Sequence, residues 1–369
     1  SKGISFSLYM THGGTSFGHW AGANSPGFQP DVTSYDYDAP INEWGLATPK
    51  FYELQKMMAK YNDGKKLPAV PKAPMAIIKV PEFKFTEYKP LSYGIAKEKE
   101  SNAPLSFEDM DMGWGTMVYE TQVPAIEGTS TLTGEFHDFA QVYVNGKYVG
   151  KIDRVKNEKS LELPAMPQGA QLTIVVEGMG RINFGRAIKD YKGIIGNVTL
   201  STQKQDCELA LTPTRWNNST IADDYQTAVN ALAMPSNKMR GLQTKAGYYR
   251  GYFNIKKVGD TFINMEAFGK GQVYVNGHAL GRFWQIGPQQ TLYLPGCWLK
   301  KGKNEVIVLD VVGPKGEAGK PGSNVAPTAF CQDHPELDKL NLEKSNKHND
   351  PGHRMDLNSE TPVLKGEFK

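Results

Sequence analysis

Apolar and polar positions alternate in three distinct textures along the chain. Near the start, Ser5-Phe6-Ser7-Leu8-Tyr9-Met10 reads as a short buried strand, broken by Gly13-Gly14. From there to Pro40, aromatic and polar residues mix without helical or strand period. Phe51, Leu54, Met57, Met58 and Tyr61 then recur at helical spacing behind Thr48-Pro49, a hydroxyl N-cap with proline at the first helical position. This predicts an amphipathic helix to about Asn62, with Gly64 as its C-cap. Pro68, Pro71, Pro74 and Pro81 mark a semi-stiff extended segment. From about Phe83 onward, short β-rich runs alternate with Gly, Pro and Asn turns, the texture of antiparallel β-sandwiches.

An internal repeat points to two such sandwiches. Gln141-Val142-Tyr143-Val144-Asn145-Gly146 recurs as Gln272-Val273-Tyr274-Val275-Asn276-Gly277, an offset of 131 residues and roughly one sandwich domain. Each copy ends in Asn-Gly, the favoured type I′ hairpin turn. Each continues to a glycine (Gly150, Gly281), then a Leu-Pro (Leu163-Pro164, Leu294-Pro295), then a closing strand around Ile174 or Ile307. The expected divisions are residues 1–64, a linker over 65–82, a first sandwich over 83–205, a second over 206–313, and a linker with the start of a further module over 314–369. Residues 212–240 read as an insert between the sandwiches.

Composition narrows the classes. With 39% hydrophobic and 22% charged residues, the chain is globular and long enough for two to three domains. A formal charge of +3 is small for this length and argues neither for nor against a nucleic-acid partner; the absence of a dense basic tract with interleaved aromatics sets nucleic acid aside. No apolar run approaches the ~18 residues of a membrane span. Cys207, Cys297 and Cys331 are odd in number, lack metal-ligand spacing and read as buried free thiols, with one disulfide plus a free thiol as the alternative.

A loop as long as residues 9–40 is rare in a compact domain unless it has a function. Its mixture of flat aromatic faces, amides and hydroxyls suits a sugar site. The runs Tyr9-Met10-Thr11-His12-Gly13-Gly14-Thr15-Ser16-Phe17, Trp20-Ala21-Gly22-Ala23 and Thr33-Ser34-Tyr35-Asp36-Tyr37-Asp38-Ala39-Pro40 together resemble the last barrel strand and following loop of glycoside hydrolase family 35, the β-galactosidases. The hairpins at Asn145 and Asn276 resemble the galactose-binding-like jelly rolls that follow the barrel in that family.

The resemblance implies a mainly β fold: two jelly-roll, galactose-binding-like sandwiches preceded by the last strand and helix of a (β/α)8 barrel. It implies an exo-acting, retaining β-galactosidase without metal or organic cofactor, in an extracytoplasmic compartment (periplasmic, secreted or lysosomal). Such enzymes need two carboxyl groups about 5–5.5 Å apart. In this family both are Glu on earlier barrel strands, so they are expected before Ser1, and no residue here is assigned a catalytic role. The expected partners are a β-galactoside and the remainder of the barrel. By the family pattern Tyr37 lines the galactose pocket and Tyr9 ends the last strand at its wall. Trp20 is read as a rim platform for a sugar ring, with loop packing as the alternative. Asp36 and Asp38 are read as acceptors of backbone N–H groups, Glu43 as solvated or packing, and His12 and His19 as hydrogen-bonded spacers. Phe283-Trp284 and Trp298 are read as core and interdomain packing. Two other functions stay open: a non-catalytic galactose-binding protein built on the sandwiches, and a purely structural spacer.

Overall fold

The computed structural model of the chain describes residues 5–36, 38–73, 75–204, 207–235, 245–287, 289–314 and 326–336. Residues 5–48 are mostly irregular, with one small pair, β1 (Ala23–Asn24) against β2 (Gln29–Pro30). The strand expected at residues 5–10 is absent: these residues join no ladder among the described residues, and extended backbone without partners for its N–H and C=O groups is not a strand. Helix α1 (Pro49–Ala59) starts as expected, with Pro49 at the first position and Thr48 extended at the N-cap. The Thr48 hydroxyl does not cap it. It donates instead to the Pro40 carbonyl at 2.9 Å, tying the helix to the end of the loop. The helix stops at Ala59 with Lys60 as C-cap, before Gly64, and buries none of its residues.

The rest is β. The long strand β3 (Val80–Pro90) leads into ten strands of the first sandwich: β4 (Ile95–Ser101), β5 (Gly115–Val123), β6 (Ser130–His137), β7 (Phe139–Val144), β8 (Lys147–Asp153), β9 (Ser160–Leu163), β10 (Ala170–Gly178), β11 (Gly193–Lys204), β12 (Cys207–Leu211) and β13 (Trp216–Ile221). They form a six-stranded sheet, β4-β13-β5-β10-β7-β8, over a four-stranded sheet, β12-β11-β6-β9. Phe107, Tyr119, Leu132, Phe136, Ile174 and Trp216 are central to the core between them. Trp216 is fully buried, its indole N–H donating to the Pro213 carbonyl at 3.0 Å.

After helix α2 (Tyr225–Ala233), the second sandwich is built from β14 (Gly247–Ile255), β15 (Thr261–Asn264), β16 (Lys270–Val275), β17 (His278–Trp284), β18 (Thr291–Leu294), β19 (Gly302–Asp310) and β20 (Thr328–Gln332). One continuous sheet, β17-β16-β19-β14-β3-β20-β15-β18, folds over its own core. β3 makes the corner: its first residues pair with β20 and its later ones with β14.

Sheet membership therefore departs from the linear division at three places. β3, in line with the first sandwich, completes the second. β12 and β13, both beyond residue 205, belong to the first, β12 paired with β11 and β13 with β4 and β5. β20, beyond 313, is integral to the second sandwich rather than a linker. Non-local pairing decides each of these, and local pattern carries no trace of it. The rest of the expected C-terminal module, residues 337–369, lies outside the described residues.

Both repeat hairpins form as expected, β7–β8 and β16–β17. Asn145, Gly146, Asn276 and Gly277 all have positive φ, as a type I′ turn requires. Each turn Asn also reaches the closing strand: Asn145 Oδ1 accepts from the Gln171 N–H at 2.9 Å, and Asn276 Oδ1 from the Glu305 N–H at 3.0 Å. The repeated Asn thus serves the turn and the third strand together.

Between the sandwiches lies a further apolar cluster. Ala228, Ala231 and Leu232 of α2 pack there with Leu91, Ile221, Tyr248 and Ile307. A buried ion pair, Lys270 with Glu177, crosses the same junction, and Lys270 also sits 4.6 Å from the Trp284 ring centroid.

Candidate functional site

The segment over residues 9–48 is clamped by both sandwiches. On the second, Thr33 Oγ1 accepts from the Arg282 N–H at 2.9 Å, and the Arg282 guanidinium donates to the Ala21 carbonyl at 2.8 Å. Ser34 N–H donates to Gln289 Oε1 at 2.9 Å, and Phe17 packs on Trp298 at 4.6 Å between centroids. On the first, Ala23 bridges to Ile182, and Phe28 lies under two cations, Arg154 at 4.2 Å and Lys192 at 4.6 Å. Those cations belong to a buried network: Lys192 Nζ donates to Asp138 at 2.7 Å and Asp190 at 2.8 Å, and Arg154 donates to both at 2.7 Å.

Two acidic side chains hold the loop from inside. Asp36 accepts from the Glu43 N–H at 2.9 Å and the Ala39 N–H at 3.3 Å, as an Asx residue does. Glu43 is buried and not solvated. Its carboxyl accepts from the Thr15 hydroxyl at 2.6 Å and the Ser34 hydroxyl at 3.1 Å. Burial, which disfavours charge, pushes the Glu43 carboxyl up to about 7, and the two hydroxyls only partly offset it. Burial also raises Asp36, against the pull of its two N–H donors. Asp38 has positive φ and pairs through its side chain with Lys50. All three carboxylates are thus engaged in holding the loop.

The residues expected at a sugar pocket fare differently. Tyr9 is 92% exposed and makes no hydrogen bond or ring contact among the described residues. Trp20 is 82% exposed and lies beside Trp114, with centroids 6.3 Å apart. Tyr37 lies outside the described residues. His19 is a spacer, as expected: its Nε2 faces the Asp223 carbonyl at 2.9 Å and its Nδ1 faces Gln272 Nε2 at 3.1 Å. Phe283 is core, Trp284 stacks edge-on to Phe139 across the domain junction, and Trp298 carries Phe17 and His278. Of the thiols, Cys331 is buried and Cys297 exposed; both are free.

Sequence reasoning missed Trp114, Arg282 and Gln289, which touch the loop from strands and turns far along the chain. Trp114 stands between Gly113 and Gly115 and belongs to no periodic pattern, so its exposure was the only signal, and exposure is a tertiary property. No helix among the described residues is long and apolar enough to cross a membrane.

Comparison with known proteins agrees with this architecture. Residues 1–61 match the family model for glycosyl hydrolases family 35, residues 104–208 the first all-β domain of β-galactosidase, and residues 246–304 its galactose-binding domain. Human Beta-galactosidase-1-like protein 2 is 34% identical over 328 residues, covering 85% of this chain and 49% of its own length. The Bos taurus Beta-galactosidase is 33% identical over 336 residues, with coverages of 84% and 49%. Beta-galactosidase 1 of Dictyostelium discoideum is 28% identical over 343 residues, with coverages of 85% and 50%. The chain spans about half the length of the curated relatives it matches. It belongs to glycoside hydrolase family 35, and carries the first all-β domain and the galactose-binding domain of that family's β-galactosidases.

Proposed function

We propose that this chain works within a retaining exo-β-galactosidase that removes terminal β-D-galactosyl residues. Its role there is to supply the pocket wall, through Tyr9, Tyr37 and Trp20, and the β domains that buttress the barrel. The nucleophile and acid/base carboxylates come from the remainder of the barrel, and the reaction passes through a covalent galactosyl-enzyme. One observation carries this reading: the segment matched to family 35 is clamped on both sandwiches while Tyr9 and the Tyr52, Met57, Met58 and Tyr61 side chains of the α1 region stand exposed. A barrel wall seated on those side chains would bury them and put the Tyr9 phenol in the pocket, where it offers a hydroxyl and a flat apolar face. The engagement of Asp36, Asp38 and Glu43 in holding the loop supports a role other than catalysis for them. An extracytoplasmic setting for the whole enzyme is part of the same proposal.

The test is hydrolysis of a chromogenic β-galactoside by this chain and by the intact protein. The chain alone gives no turnover. In the intact enzyme Tyr9→Phe and Tyr37→Phe each lower kcat/KM by roughly 10–100-fold, the loss of one hydrogen bond to a charged or developing charged group. Turnover by the chain alone would send the search for carboxylates back to this sequence. Sugar binding without hydrolysis by the intact protein would favour a galactose-binding role instead.

A further inference from the structure

We propose that Trp20 and Trp114 form a two-tryptophan platform for the second sugar of a galactoside, the residue on the leaving-group side of the scissile bond. The inference rests on the β-galactosidase reading and adds a specificity site to it. Trp20 comes from the loop at residues 9–40, and Trp114 from the turn ahead of β5 in the first all-β domain. Their ring centroids are 6.3 Å apart with planes at 52°, so the pair makes an open wedge. Both rings are exposed, at 82% and 50%.

The Trp114 side of the wedge is held from behind. His19 stacks on Trp114 at 5.3 Å and 17°. Gln272 donates to His19 Nδ1, so His19 Nε2 carries the proton and donates to the Asp223 carbonyl at 2.9 Å. Arg181 grips the Gly113 carbonyl with two N–H groups at 2.7 and 3.1 Å, which fixes the backbone beside Trp114. Asn183, an exposed amide, lies against Gly22, two residues on from Trp20. One indole braced from behind, Trp114, beside a second that stands bare, Trp20, suits the flat C–H face of a pyranose, and a neighbouring amide suits its hydroxyls. The Trp114 side, fixed before the ligand arrives, loses little ordering entropy on binding.

The experiment uses this chain and the β-1,3-, β-1,4- and β-1,6-linked galactobioses, with Kd taken from ligand-observed saturation-transfer NMR titration. At least one disaccharide binds, and Trp20→Ala and Trp114→Ala each raise its Kd tenfold or more. Tyr148→Ala, at an exposed ring on β8, leaves the Kd unchanged, and far-UV circular dichroism checks that each variant is folded. Binding of none of the three, or an unchanged Kd in either tryptophan variant, overturns the platform and assigns these rings to a protein contact. Because the readout is binding by this chain, the platform can fail while the hydrolytic reading stands, and the reverse.

Discussion

Thr33 and Arg282 close a reciprocal pair: the Arg282 N–H donates to Thr33 Oγ1 at 2.9 Å, and the Thr33 hydroxyl donates back to the Arg282 carbonyl at 3.2 Å. One hydroxyl thus stands in for a strand partner and sews the loop to β17. The neighbouring glycine is part of the fit, because a Cβ at Gly281 would fall 2.3 Å from Thr33 Cγ2. Thr33→Val keeps the shape and removes both bonds, leaving the Arg282 N–H and C=O unpaired on this side. The expected cost is about 1–3 kcal/mol of loop docking. Hydrogen exchange should quicken across residues 15–36 and not in the core strand β10. Uniform protection in the variant would show that Thr33 only fills space.

Glu43 makes loop docking sensitive to pH. Its carboxyl, ordinarily near 4.5, is raised by burial to about 7 in the folded chain. A raised carboxyl disfavours the ionised folded state, so the penalty is absent below the unfolded value and grows as pH rises from about 4.5 to about 7. At about 1.4 kcal/mol for each tenfold change in acidity, it is on the order of 3 kcal/mol above that window. Asp36, also raised by burial, acts in the same direction. The chain should melt higher at pH 5 than at pH 7.5. Glu43→Gln keeps an acceptor for Thr15 and should flatten much of the slope. A slope of equal size in the variant would assign the effect elsewhere.

Lys192 is the buried counter-charge for Asp138 and Asp190. Lys192→Met leaves Arg154 alone with two buried carboxylates. The expected loss is about 3–5 kcal/mol, seen as a fall in Tm on the order of 10 °C. Because Lys192 also lies over Phe28, the β1–β2 turn should loosen with it. Adding Asp190→Asn should recover part of the loss, since it removes one of the uncompensated charges.

The exposed face of α1 gives a test that separates folding of this chain from assembly of the enzyme. Met57→Lys with Met58→Lys should leave the chain's melting within about 0.5 kcal/mol of wild type, because α1 buries none of its residues. In the intact protein the same pair should abolish soluble, active enzyme if a barrel wall covers that face. Full activity in the intact variant would remove the main support for the barrel placement.

Periodicity and turn chemistry carried much of the fold in the sequence itself. The helix start at Pro49, the twin Asn-Gly hairpins and their closing strands follow from local rules, because turn φ values and helix caps involve only near neighbours. The loop over residues 9–40 was legible as a long segment without regular period, and Asp36 could be read as a local acceptor. Other features required the folded chain. Residues 5–10 have a strand's pattern and no ladder, since pattern does not supply a partner. β3, β13 and β20 join sheets that their place in the chain does not predict, because strand pairing depends on which edges meet in space. Glu43 is buried by contacts from Thr15 and Ser34. Trp114 becomes part of a candidate site only when the loop brings Trp20 beside it. Local propensity is written residue by residue; burial, pairing and the meeting of side chains 94 positions apart are decided by the fold as a whole.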